Sequence, residues 1–170
     1  IYNFDAMPYE SVMLGFYAMW KGPENDLCGK LGIQKRNEIG MGYSRDGFHF
    51  YRPSYEPEMG VNETEGAWNW GNMQSIIGVP LIVGDSLYLY SSGRMKNKVM
   101  WDGFTSTGLA TLRRDGFVSM HTDTEGVLVT EKIKFDGNHF FVNAQAKDLQ
   151  VEIMDENGNV VKEEDLKNHF

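Results

Sequence analysis

The same four residues occur twice. Arg45-Asp46-Gly47-Phe48 returns as Arg114-Asp115-Gly116-Phe117. Each copy closes one run of alternating apolar residues and opens another. Asp-Gly is a favoured hairpin turn because its residues tolerate positive φ. One copy carries little information. Two copies, each after an apolar hairpin, are a sign of an antiparallel β-unit used twice, against the alternative of two unrelated hairpins. Gly84-Asp85, Asp136-Gly137 and Asn157-Gly158 add further turns. A β-repeat of roughly 40–70 residues with about four strands has the size of a propeller blade.

The first unit is anchored by residues 11–20, SVMLGFYAMW, which are apolar throughout. Such a run predicts a strand buried on both faces, and Gly15 and the aromatics favour strand over helix. Residues 21–34 are a polar loop punctuated by Gly and Pro. Ile39, Met41 and Tyr43 then alternate up to the Asp46-Gly47 turn. Phe48 and Phe50 start the returning strand, and Pro53 ends it. Residues 54–67 form a long acidic loop. The second unit begins at WNWGNMQSIIGVPLIVGDSLYLYSSGR, a strand, the Gly84-Asp85 turn and a strand. TGLATLRRDGFVSM repeats that pattern around Asp115-Gly116.

The pattern changes after Thr124. VLVTEKIKF, HFFVNA, DLQVEIMD and NVV read as short alternating strands. Leu149, Val151 and Ile153 face one side, and Gln150, Glu152 and Met154 the other. The expected fold class is therefore all-β. Propeller blades, an incomplete set, occupy 1–124, and the start of a β-sandwich occupies 125–170. The last residues, KEEDLKNHF, are a short helix or a frayed end.

Composition narrows the partners. A formal charge of −8, with Lys and Arg scattered, argues against a nucleic-acid partner. Cys28 is the only cysteine, so neither an intrachain disulfide nor a thiolate metal cluster is expected. His49, His121, His139 and His169 lack metal-ligand spacing. The acidic stretch 56–65 lacks the regular spacing of a calcium loop. There is no Gly-rich phosphate loop, and no apolar run is long enough to span a bilayer. No cofactor, metal or membrane span is expected.

Two segments carry candidate chemistry. Glu10 lies beside Tyr9 at the mouth of the apolar run, where acids are rare unless paired or used. Asp5 is a second carboxylate, equally suited to capping a turn. Trp68 and Trp70 offer flat faces to the apolar side of a sugar ring, or fill core. Asn69, Asn72 and Gln74 supply donors and acceptors for hydroxyls. Arg94, after an apolar strand, suits a substrate hydroxyl, a partnership with Glu10, or a solvated loop.

Taken in order, YNFDAMPYESVMLGFY, IGMGYSRDGFHFYRP, WNWGNMQSIIGVPLIVGDSLYLYSSGR, TGLATLRRDGFVSM and FFVNAQAKDLQVEIMDENGNVV resemble the C-terminal part of a family 32-like glycoside hydrolase. That family, related to families 43 and 68, joins a five-bladed β-propeller to a β-sandwich. The resemblance implies a glycosidase acting on carbohydrate with water as acceptor. Glu10 would be the general acid/base, with Asp5 the second carboxylate. Burial would have to raise the acid's pKa. It also implies a periplasmic or secreted bacterial location, and blades supplied from elsewhere. The family's Asn-Asp-Pro-Asn, Arg-Asp-Pro and Glu-Cys motifs are absent. Two rival readings follow. One is a non-catalytic carbohydrate-binding module that keeps Trp68–Gln74. The other is a structural fragment that self-associates through exposed sheet edges.

Overall fold

The computed structural model describes residues 1–64, 66–76, 78–95, 104–134, 137 and 139–162. They fall into two compact units, Ile1–Met120 and His121–Phe170. Strands predominate, as expected of an all-β chain.

The first unit holds two antiparallel sheets. The first contains β1 (Asn3–Tyr9), β2 (Val12–Gly22) and β3 (Arg36–Ser44), with β2 in the middle. The central position of β2 explains its apolar run, and Leu14 to Ala18 are buried in succession. The second sheet contains β4 (Asn72–Ile76), β5 (Leu81–Val83), β6 (Ser86–Arg94) and β7 (Thr105–Arg113). Strand β6 pairs with all three others. The Gly84-Asp85 turn joins β5 to β6, with Val83 opposite Ser86.

Alternation sends one face of each sheet inward. Met7, Tyr9, Val12, Leu14, Phe16, Ile39, Met41 and Tyr43 share a core with Met73, Ile76, Leu87, Leu89, Ala110 and Leu112. Burying each large apolar side chain stabilises by about 1.5–3 kcal/mol. Trp68 belongs to this core. Its ring lies over Gly93 and Gly108, where a Cβ would collide with it.

The sheets are clasped at one end. The Tyr9 hydroxyl donates to Asp115 Oδ1 at 2.6 Å, and Arg114 Nη2 reaches Glu10 Oε1 at 2.8 Å. The Tyr9 and Phe117 rings meet edge to face, with centroids 5.3 Å apart.

Three expectations need correction. The loop 21–34 contains a helix, α1 (Asn25–Leu31). Gly32, at φ 64°, ends it, and Ile33 N–H bonds the Cys28 carbonyl. The two Arg-Asp-Gly-Phe copies also differ in conformation. Positive φ falls on Gly47 in the first copy but on Asp115 in the second, one residue earlier in the motif. Asp46 instead gathers the amides of Phe48 and His49, an Asx turn that leaves Phe48 87% exposed. The returning strand there is reduced to a Tyr43–Tyr51 bridge, and none follows Gly116 among the described residues.

The third correction concerns the second unit. Its described residues form a single bridge, Met154–Val160, in a hairpin organised by Asp155. The other expected sandwich strands are present only as chain without ladders, and Val127, Leu128, Phe140 and Phe141 are exposed. Alternation makes a segment fit for a sheet, but a strand exists only with a hydrogen-bonded neighbour. Residues 163–170, expected as a helix or frayed end, lie outside the described residues, as do Asp136 and Arg94's downstream neighbours 96–103.

Candidate functional site

The strand registers give the first unit two ends. The clasp end carries the β1–β2 turn at Glu10, the Gly84-Asp85 turn and Asp115. The other end carries Asn3, Asn37, Asn72 and Arg94. Asn72 lies opposite Arg94 across β4 and β6, and its Nδ2 donates to the Lys35 carbonyl at 2.9 Å.

Glu10 sits at the wrong end for the expected site. It occupies the tight turn between β1 and β2 at φ 49°, its side chain 59% exposed and paired with Arg114. The expected buried acid is therefore not at this position. Nor does Arg94 pair with Glu10: the length of β6 separates them, about 25 Å at 3.3 Å per residue. Asp5 lies mid-strand on β1, half-buried, accepting from Asn3 Nδ2 at 3.0 Å. Four strand residues separate it from Tyr9, about 13 Å. A glycosidase needs its carboxyl groups about 5–5.5 Å apart for retention, or about 6.5–9.5 Å for inversion. Asp5 and Glu10 do not make such a pair.

The amides fare differently. Asn72 is fully buried, and its Oδ1 has no hydrogen-bond partner among the described residues. The same holds for Asn69 Oδ1, Gln74 Oε1 and Arg94 Nε. Asn69 donates to the Gly60 carbonyl at 3.3 Å and packs against Gly93, the neighbour of Arg94. Met73 and Ile76 both enter the core although they are three residues apart, because the β4–β6 register shifts between Met73 and Ser75; Asn72, next to Met73, lies on the other side of β4. Of the two tryptophans, Trp68 fills core, whereas Trp70 caps the loop with its N–H on the Ala67 carbonyl.

Two further residues belong here. Asn37, on β3, is wholly buried, and neither atom of its amide has a partner among the described residues. Glu38, its neighbour, is the buried carboxylate, with its side chain 3% exposed. Lys21 contacts its Oε2, and Arg36 holds Oε1 at 3.0 and 2.7 Å while reaching Glu63 at 2.6 Å. Burial pushes the Glu38 pKa upward, but the two cations outweigh it and hold the carboxyl below its ordinary value. The sequence signal was an acid inside the alternating run NEIGMGYS with Arg two residues before it. Among the described residues, no group of three or more His, Cys, Asp or Glu side chains could hold a metal ion. No helix among them is long and apolar enough to cross a membrane.

Comparison with protein-family models, curated proteins and solved structures finds no match for this chain.

Proposed function

We propose that the chain is a carbohydrate-binding portion of a glycoside-hydrolase-like β-propeller protein, with its sugar contacts at the Asn72–Arg94 end. One observation carries this reading: Asn69, Asn72, Gln74 and Arg94, with Asn37, bring to one end of the sheets buried polar atoms that have no partner among the described residues. Native proteins leave few such atoms unsatisfied, and each costs about 1–3 kcal/mol. These atoms are closed to solvent in this structure, and a ligand rich in hydroxyls supplies donors and acceptors to both kinds of atom when this end opens to admit it. The family resemblance points to the same ligand class. Binding is favoured over hydrolysis because Asp5 and Glu10 are too far apart to act on one glycosidic bond.

A thermal-shift series with neutral mono- and oligosaccharides tests the reading. A sugar held at about 100 times its dissociation constant adds about 2.7 kcal/mol. For a chain of this size that raises Tm by roughly 5–10 °C. Asn72→Ala should remove the shift, whereas Glu10→Gln should leave it. A shift lost with Glu10→Gln and kept with Asn72→Ala would move the site to the other end. No shift with any sugar would reject the reading for this chain.

A further inference from the structure

A second recess opens on the far face of the first sheet, away from the shared core. Tyr17, Met19 and Lys21 of β2, Glu38 and Gly40 of β3, and the loop from Arg52 to Pro57 enclose about 240 Å³. Drug-sized sites start near 300 Å³, so this one fits a single sugar ring or smaller. Gly40 lets the Tyr17 ring lie flat across the sheet, since a Cβ there would sit 2.7 Å from the ring.

The charges in this recess are unevenly used. Glu38 at the floor is already engaged by Lys21 and Arg36. Arg52 is exposed, its Cζ lies 5.4 Å from the Tyr17 ring centroid and 4.4 Å from that of Tyr55, and no carboxylate pairs with it among the described residues. Its exposed guanidinium presents an N–H edge. That edge matches a carboxylate, which accepts two parallel hydrogen bonds. Lys21, nearly half exposed and paired with Glu38, lines the recess as well. Glu56 offers an acceptor for hydroxyls, and Met19 and Pro57 offer apolar surface.

We propose that this recess binds a sugar acid of the uronate type, with its carboxylate on the edge of Arg52 beside Lys21 and its hydroxyls toward Glu56. The sugar part of the inference rests on the carbohydrate reading above; the carboxylate part rests on Arg52 alone. The amide site is built mainly on β4 and β6 of the second sheet and the recess on β2 and β3 of the first, so they can be tested apart.

The experiment is a thermal-shift and calorimetric titration of the whole chain with sodium glucuronate and sodium galacturonate. Glucose, galactose, sodium acetate and sodium chloride serve as controls at matched ionic strength. The expected result is a saturable shift with a uronate and none with acetate or chloride. Arg52→Gln should weaken uronate binding at least tenfold, and Asn72→Ala should leave it unchanged. Equal shifts with acetate would mean an adventitious anion only and overturn the proposal. So would a uronate response that survives Arg52→Gln, or no uronate response. A shift with neutral sugars but not uronates would sink this inference and spare the amide site; the reverse would do the opposite. If Arg52→Gln does not fold, amide shifts of the unaltered chain decide. Changes at Gly40, Arg52 and Tyr55 on adding uronate support the site, and changes confined elsewhere overturn it.

Discussion

At residue scale the informative contrast is between two glutamates. Glu10 stands in a turn with water on one side and a guanidinium on the other. Glu38 is buried between two cations that reach it from β2 and β3. The ionisation of Glu38 is tied to folding. Its folded pKa lies below the ordinary glutamate value of about 4.3. Between those two values the unfolded chain holds a proton that the folded chain does not. Stability from Glu38 is therefore present above about pH 4.3 and lost as pH falls through the folded value. Glu38→Gln should cost about 1–3 kcal/mol at neutral pH, since it leaves Lys21 and Arg36 facing a neutral amide. It should also flatten the fall of Tm on acidification. Asp46 and Asp155, likewise held low by turn hydrogen bonds, contribute equally to both proteins. Parallel acid profiles for variant and parent would remove Glu38 from this account. Tyr9 makes the opposite prediction. Burial and the bond to Asp115 raise its pKa, so its contribution is complete below about pH 10 and lost as pH rises beyond the folded value. Tyr9→Phe should cost about 1.5–3 kcal/mol for the charged hydrogen bond and blunt the alkaline fall of Tm.

At the scale of elements, the packing of Trp68 on β6 and β7 decides between core filler and sugar platform. The ring fits because Gly93 and Gly108 face it. Gly108→Ala pushes a methyl into an occupied space and should cost about 1–3 kcal/mol. Trp68→Ala should cost about 3 kcal/mol. Made together, the second methyl enters space that the ring has vacated, so the pair should be less destabilising than the sum by 1 kcal/mol or more. Urea unfolding of the four proteins measures this. If Trp68→Ala left stability intact but removed a sugar response, the ring would be a platform instead. The sequence conveyed β2, β6 and β7 well, because period-2 alternation and two-residue turns are local signals. Helix α1 was hidden by Gly22, Pro23, Gly29 and Gly32, which mark a loop until Gly32 is recognised as a left-handed helix end. The amides of Asn72 and Gln74 were legible as polar residues entering an apolar strand. Asn37 was not, and Glu38 showed only as an acid two residues after Arg36, since its burial depends on Lys21 reaching it from the neighbouring strand β2. The exposure of Glu10 was hidden for the same reason: an acid at the start of a strand looks identical in sequence whether its turn is buried or exposed.

At the scale of the whole molecule, the two units differ in how their backbone is satisfied. In the first, β6 has neighbours on both sides, and Leu87, Leu89 and Ser91 are buried. In the second, the hairpin around Asp155 carries backbone-to-backbone hydrogen bonds, as from Val161 N–H to the Ile153 carbonyl, and no ladder forms among the described residues. Exchange with deuterated water reads this difference directly, because an amide with no partner exchanges without any opening step. Amides of residues 87–92 should be protected by several orders of magnitude. Those of 127–134 and 140–142 should exchange near the unprotected rate at low protein concentration. Val127, Leu128, Val129, Phe140 and Phe141 are apolar enough for a sheet interior yet exposed, so a dilution series belongs in the experiment. Protection that appears only at high concentration would mean that copies of the chain supply one another's strands, the edge-pairing behaviour of the structural-fragment reading. Protection at every concentration would mean that these segments form ladders within a single chain, contrary to the structure. Lack of protection throughout, with β6 protected, would show that their alternation is fitted to a partner that the chain alone does not provide.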